Sequence, residues 1–374
     1  RLPALYVHHI LPIERAQYHG IWNFAESLAA DFKKRPHVDS GFSNWMRFDK
    51  GNQKLIRHQP GIDETRSCFS TWSKRNDLLL AFFHFDYGSY GYWDLPVWLW
   101  RELRRLKRDF PQLSLHLFCH EAPPRSPRRR REALLLPVSR KLFERILACT
   151  DLALFSNPAA AEQLRVQVGE RFSIRWRPVF SNIGEPENLD FIERKDQTAW
   201  VIFGSRGNLP NYLDKLNSTY DLLPERIRPK LLHVIGGGGC EIVKKFVEKL
   251  RVRNFEIRHY EALDNSSCAE VFKNSSYLFL NYFETDKPEF PEMLLKSGVL
   301  AAANAYGVIP VICHEGLDRF RELTGHPGGI WLRNGEWLLP ANLEALPRLI
   351  SDWYRENSSV RGMTDDILES LLWK

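Results

Sequence analysis

"PEMLLKSGVLAAANAYGVIPVICHEG", residues 291–316, decides how the chain is read. Its small, alanine-rich run 298–306 predicts a helix, and 308–313 predicts a short buried strand. Lys296, Ser297 and Gly298 then fall at the helix N-terminus. Backbone N–H groups there lack intrahelical acceptors, and the helix dipole is positive. Glycine permits close approach and lysine adds a charge, so the three residues form a candidate seat for phosphate. The alternative is a capped helix that packs tightly because its residues are small.

The same alternation of strand and helix extends upstream. Strands are expected at 199–205, 231–235, 255–260 and 277–283. Helices are expected from about Asn211 and at 240–250 and 267–274, between those strands. A first series precedes it, with strands "ALYVHHI" (4–10), "DLLLAFFHF" (77–85), "LSLHLFCHE" (113–121) and "DLALFSN" (151–157). A turn containing Gly20 leads to a helix at 21–34. A second helix runs from about Leu95 to Lys107, with Trp98, Trp100, Leu103 and Leu106 available to the core. Another lies near 138–149, and Pro158 opens one more. Residues 36–75 are polar and give few signals. Such alternation implies parallel sheets covered on both faces.

The segment 177–197, rich in Pro, Asn, Gly and charge, breaks the rhythm. The expected organisation is therefore a first α/β domain at 1–180, a linker at 181–197 and a second α/β domain at 198–340. C-terminal helices at 341–374 would pack on a domain face. Within them Leu343, Leu346, Leu349, Ile350 and Trp353 lie at helical spacing. Two doubly wound domains in tandem would face each other across a cleft, with ligands beyond the C-terminal ends of the strands.

Composition narrows the class. The 374 residues are 44% hydrophobic and carry 52 basic against 46 acidic side chains, a net +6 that does not by itself imply nucleic acid. The charge is uneven, since "PRSPRRRRE" (124–132) places five arginines in nine positions. That run is either a solvated loop or a contact for anionic lipid or a phosphorylated acceptor. Cys68, Cys119, Cys149, Cys240, Cys268 and Cys313 form no CxxC pair or metal-finger spacing, which suits reduced thiols in a reducing compartment. No stretch of about 18 apolar residues occurs, so no transmembrane helix is expected. The chain begins at Arg1 rather than Met, which leaves room for residues ahead of it. The sequons at Asn217, Asn265, Asn274 and Asn357 carry no meaning in a cytosolic protein.

The glycines of "VIGGGGCEIVKKF" (234–246) lie between a strand and a helix, but Glu241 stands where a G-x-G-x-x-G fingerprint needs its third glycine. A nicotinamide or flavin enzyme is thus disfavoured. Close backbone approach to another ligand, or a simple turn, accounts for the run equally well.

Four segments resemble the GT-B glycosyltransferases of the bacterial group 1, retaining type. They are "HFDYGSYGYWDLPVWLWRELRRLK" (84–107) with "LHLFCHE" (115–121), "DLALFSNPAAAEQL" (151–164), "FSNIG" (180–184) and "KSGVLAAANAYGVIPVI" (296–312). The resemblance implies two Rossmann-like domains, the first taking an acceptor and the second a nucleotide-sugar. It implies no cofactor besides that substrate and no catalytic metal; the scattered Asp and His residues show no ligand spacing either. Many members carry two glutamates around the phosphate helix, and here those positions hold Leu295 and Ala303. Glu292 and Glu289 lie just upstream, and Asn304 adjoins the second position.

By the same resemblance, Lys296, Ser297 and the Gly298 amide hold the donor diphosphate and stabilise its developing charge. Arg206, after the first strand of the donor domain, is a second candidate, with a solvated loop arginine as the alternative. His120 would approach the donor sugar, and Glu121 or Asp86 would act as general base in an inverting enzyme. A His-Glu pair capping the next helix is the plainer account. Tyr87, Tyr90, Tyr92 and Trp93 border Gly88 and Gly91 and suit stacking on an acceptor sugar, or core packing. Gly20 would let the first loop reach the reaction centre. His8 and His9 read as core, and Ser181 and Asn182 as a linker turn. The implied function is a cytoplasmic glycosyltransferase, metal-independent and hexosyltransferase-like, that moves sugar from a nucleoside-diphosphate-sugar to a glycan or lipid-linked acceptor in bacterial polysaccharide or glycoconjugate synthesis. Peripheral contact with the anionic inner membrane face is a further expectation. The alternatives are a nucleotide-sugar epimerase of the same fold and a non-catalytic binding module.

Overall fold

The computed structural model describes residues 4–12, 19–49, 54–74, 78–86, 97–122, 130–169, 172–187, 198–281, 291–314 and 316–372. They divide into two units, Arg1–Arg177 with Met363–Lys374, and Pro178–Gly362. The boundary thus falls ahead of the expected linker, and 181–187 groups with the second unit. The C-terminal segment expected as one appendage at 341–374 is divided between the two.

The first unit is built on a six-stranded sheet, β2-β1-β5-β6-β7-β8. Its strands are β1 (Leu5–Leu11), β2 (Val38–Asn44), β5 (Leu78–Asp86), β6 (Leu113–Glu121), β7 (Leu152–Phe155) and β8 (Ile174–Trp176). All neighbours pair in parallel. Helices α1 (His19–Lys33), α2 (Gln59–Ser73), α3 (Val97–Asp109), α4 (Arg130–Leu147) and α5 (Pro158–Val168) connect them, with a small hairpin of β3 (Met46–Asp49) and β4 (Lys54–Arg57). β1 is buried at every position, His8 and His9 included, and its other five residues are apolar or aromatic. Asn157 caps α5 through Ala160 N–H and Pro158 occupies its first turn, as that sequence signal indicates.

Two elements lie in the stretch where sequence signals are sparse. β2 carries the polar run VDSGFSN, and its Ser43 is buried in a hydrogen-bonded network instead of an apolar one. His8 Nε2–H donates to Ser43 Oγ (2.9 Å), and Ser43 donates to Thr65 Oγ1 (2.6 Å). Thr65 donates on to Gly61 O and accepts from Trp45 Nε1–H. α2 turns Thr65, Ile62 and Phe69 inward, a stripe whose polar member hides its period.

α3 buries Leu99, Leu103 and Leu106 and also Glu102, while Trp98 and Trp100 pack only partly against the core. The Glu102 carboxylate is 2% exposed and accepts from Arg57 (3.0 Å), Arg66 (2.5 Å) and Arg105 (3.0 Å). Glu102→Ala leaves three guanidiniums without their shared partner. We expect a loss of about 3 kcal/mol, the low end for a broken buried ion pair because the arginines reach water. Urea denaturation measures it, and a loss below about 0.5 kcal/mol, the range of plain surface substitutions, would show that the cluster stabilises nothing.

The second unit is built on a seven-stranded sheet, β11-β10-β9-β12-β13-β14-β15. It comprises β9 (Ala199–Gly204), β10 (Leu231–Gly236), β11 (Glu256–Tyr260), β12 (Tyr277–Leu280), β13 (Ile309–Ile312), β14 (Ile330–Arg333) and β15 (Glu336–Leu338). Within this sheet only the β14–β15 pair is antiparallel. The helices are α6 (Leu209–Thr219), α7 (Glu241–Leu250), α8 (Asn265–Asn274), α9 (Gly298–Ala305), α10 (Leu317–Thr324) and α11 (Leu346–Asn357), and α12 (Val360–Leu372) runs across the unit boundary. Among the described residues, no helix is long and apolar enough to cross a membrane.

In both sheets the chain winds outward one way and then the other. The order reverses between β1 and β5 in the first unit, and between β9 and β12 in the second. These switch points open crevices at the C-terminal strand ends, where open α/β sheets take their ligands.

Candidate active site

Beside the switch point of the first unit, β5 ends on Asp86 and β6, one strand further out, on His120 and Glu121. Asp86 lies opposite Glu121 in the strand register, after an irregularity between Phe85 and Asp86. The three candidate catalytic residues therefore share one sheet edge: Asp86 is buried, His120 half-buried and Glu121 exposed. Placing two carboxylates and an imidazole at adjacent strand ends allows one group to take a proton while another orients a substrate hydroxyl.

His120 is the outer end of a row. Its Nε2 lies 3.1 Å from His84 Nδ1, and His84 Nε2 lies 3.2 Å from His9 Nδ1. His9 and His84 are fully buried. Burial, with the neighbouring His8, pulls His9 down to about 3. Burial, then His120 and His9, holds His84 well below the ordinary imidazole value. The core reading of His9 is right about burial, but its contact with His84 is not legible in sequence, because it joins residues on two different strands.

Gly20 is placed differently from expectation. It lies in the first turn of α1, not in a turn ahead of the helix. Tyr87, Tyr90, Tyr92 and Trp93 lie outside the described residues, as do 124–129 of the arginine run, and α4 begins at Arg130.

In the second unit, α9 follows β12 and precedes β13, so its N-terminus stands at the C-terminal edge of the sheet. Lys296 ends a 3₁₀ turn, Pro291–Lys296, that also contains the backbone of Glu292. Ser297 is the N-cap, its Oγ accepting from Leu300 N–H at 3.1 Å. The first helical bond runs from Ala301 N–H to Ser297 O. Among the described residues, nothing accepts from the Gly298 and Val299 amides. Leu295 and Ala303 are buried. Asn304 is tied through Oδ1 to His326 Nε2 (3.3 Å), so it is held inside the fold.

The tight approach at Gly298 comes from an unexpected quarter. A Cβ there would meet Asn182 Nδ2 at 2.5 Å. The segment bearing Asn182 is pinned alongside: Val179 N–H donates to Leu295 O (3.1 Å), and the Tyr354 hydroxyl accepts from Ser181 N–H (2.8 Å) and donates to Glu185 (2.7 Å). "FSNIG" thus belongs beside the start of α9, and not at the end of the first unit. Its Asn and Gly suggest no more than a turn, because only the folded chain brings 182 to 298.

Arg206 follows β9 and donates to Gly238 O at 2.5 Å, tying together the loops after β9 and β10. Gly236 has φ of 106°, and a Cβ on it would sit 2.1 Å from Gly204 O. Only glycine lets these strand ends lie this close. Gly239 N–H donates to Glu261 (3.2 Å), and this bond, with Lys244 nearby, holds the Glu261 carboxyl below its ordinary value. Asn281, just past β12, carries no sequence signal that marks it; its Oδ1 is buried with no partner among the described residues.

Neither a family model nor a curated protein matches the sequence. Solved structures do match in fold. An α-glucosyltransferase in complex with UDP and a 13-mer DNA superposes with a TM-score of 0.58 at 8% identity, over 99% of this chain and 100% of that one. The lipopolysaccharide outer core galactosyltransferase WaaB gives 0.52 at 14% identity, over 98% and 99%. A protein from Listeria monocytogenes described as a UDP-N-acetylglucosamine 2-epimerase gives 0.53 at 12% identity, over 98% and 96%. Coverage of nearly the whole chain, with two parallel-dominated α/β sheets each reversing at a switch point, is the GT-B fold.

Proposed function

We propose that the protein is a glycosyltransferase that takes a sugar from a nucleoside-diphosphate-sugar, with UDP as the nucleotide to test first. The observation that carries this reading is the start of α9. Lys296 precedes two helix amides that have no acceptor among the described residues, at the edge where β12 leads into the crevice. A diphosphate seated there would accept from the Gly298 and Val299 amides and pair with Lys296, and the same groups would stabilise it as the leaving group. UDP enters because solved structures of this fold are complexes with UDP or UDP-glucose. In the first unit, Asp86 or Glu121 would take the acceptor proton and His120 would contact the donor sugar. The second unit is accordingly the donor domain and the first the acceptor domain. The group 1 kinship rests on "KSGVLAAANAYGVIPVI" (296–312), and Leu295 and Ala303 part from it at the positions of the glutamates.

The test is calorimetric titration of the protein with UDP, GDP and ADP, beside Lys296→Ala. Without the charge-assisted bond from lysine to phosphate, nucleotide binding should weaken by about ten- to a hundredfold. Equal binding by parent and variant would place the phosphate elsewhere. Incubation with UDP-sugars and candidate acceptors separates the chemistries. Transfer supports the proposal. Isomerisation of the donor without acceptor points to an epimerase, whose fold is also among the neighbours. Binding without turnover points to a recognition module.

A further inference from the structure

The row of imidazoles lies on the sheet face covered by α1. In the register His9 stands opposite Phe82 and His84 opposite Phe118, so each histidine sits two residues further along than its neighbour. The row climbs diagonally from the middle of β1 to the end of β6. Ring centroids are 5.5 Å and 5.4 Å apart at interplanar angles of 28° and 20°. With N···N separations of 3.2 and 3.1 Å, these nearly coplanar rings meet edge to edge, the arrangement of N–H···N bonds. Phe24 packs against His84 and His120, Phe82 against His9 and His84, and Phe32 and Phe42 against His9. At the inner end, His9 Nε2 is buried with no partner among the described residues.

A neutral imidazole has one donor and one acceptor nitrogen, so both bonds in the row must point the same way. Pointed inward, they would leave a buried N–H on His9 Nε2 with nothing to accept it. Pointed outward, they leave only a lone pair there. Orphaned buried donors are rarer than under-used acceptors. We infer that His9 and His84 are positioning residues that fix the tautomer of His120: each ring is protonated on Nδ1, His9 donates to His84, His84 donates to His120 Nε2, and His120 is left with its proton on Nδ1. This rests on the proposed role of His120 at the donor sugar. There it would act as a hydrogen-bond donor to a sugar or phosphate oxygen. Its Nε2 is occupied, so base duty falls to Asp86 or Glu121. The row ends blind at His9, so it orients a proton and does not conduct one to solvent. The low proton affinity of His9 and His84, set chiefly by burial, keeps these two inner rings neutral at working pH.

The deciding measurement is two-dimensional ¹⁵N–¹H NMR of the full chain labelled at histidine, with no substrate, the three rings being assigned by single substitutions. All three are expected as the Nδ1–H form. His120 found as Nε2–H, or averaging between both forms, overturns the inference from the parent spectrum alone. His84→Leu should release His120 into tautomer exchange and, in a transfer assay, lower kcat about tenfold, the scale of one lost hydrogen bond, with donor KM held within about twofold. His84→Asn, whose amide can stand in for the Nδ1 donor, should restore most of kcat. If it rescues no better than leucine, the row does not act through that donor. Because the spectrum needs no turnover, an inactive protein would sink the proposed transfer while leaving the tautomer assignment standing on its own result.

Discussion

Taken from pH 7 to pH 5, the first unit is expected to lose about 4 kcal/mol of stability through His8 and His9, with His84 adding in the same direction. His8 is pulled down to about 4 and His9 to about 3 by burial, and His84 lies well below its ordinary value for the same reason. Unfolded, each takes a proton near pH 6.5. Above that pH both states are neutral and the histidines make no difference. As pH falls through 6.5 the unfolded state binds protons that the folded state refuses, and stability drops. The loss continues down to the folded values, near pH 4 for His8 and pH 3 for His9. His8 and His9 each contribute about 2 kcal/mol of loss by pH 5, and His84 adds to it, against a usual total of about 5–15 kcal/mol for a domain. Among its described residues the second unit has His326, pulled down to about 3 by burial with Arg321 nearby. It should lose only about 2 kcal/mol by this route. Denaturant unfolding at pH 7, 6 and 5 should therefore show the first unit's transition moving to much lower denaturant while the second unit's moves less. Midpoints that stay together and fixed over that range would mean that His8, His9 and His84 are already charged or hydrated in the native state.

Gly236→Ala should be the most damaging single methyl at the candidate site. Its φ of 106° is a conformation that L residues avoid, and the new Cβ would lie 2.1 Å from Gly204 O, a backbone atom that cannot swing away. Strain and clash together should cost about 3 kcal/mol or more. Gly335→Ala is the control, since its φ is 80° but nothing lies within 4 Å. It should cost only about 1–2 kcal/mol of left-handed backbone strain. For a unit of this size, calorimetry should show the Gly236 variant's transition lowered by about 6–12 °C and the Gly335 variant's by about one to two thirds of that. UDP binding should weaken in the first and not in the second, because Gly238 O, which holds Arg206, lies two residues beyond Gly236. Equal shifts in the two variants would show that the β9–β10 approach is not tight in solution.

The alternation of strands and helices is written in the sequence, because parallel strands buried on both faces must be continuous apolar runs. β6 is readable to the residue, and so is the helix start at Gly298, where a serine cap and small residues leave little choice. β2 and α2 are not readable, since Ser43, Thr65 and His8 satisfy one another across three elements and the polar letters conceal buried positions. Also legible are the residues at strand ends, Asp86, His120, Glu121 and Arg206, which follow or end apolar runs, and Lys296 just ahead of a helix start. Their environment is not. Local pattern fixes which element a residue joins, while hydrogen-bond partners come from pairing between elements far apart in sequence. Two doubly wound sheets and a capped helix start after β12 thus follow from the order of the residues. The folded chain alone settles that Asn182 fills the space at Gly298, that Gly20 is helical, and that His9, His84 and His120 form one row, because strand register is set by the packing of whole sheets.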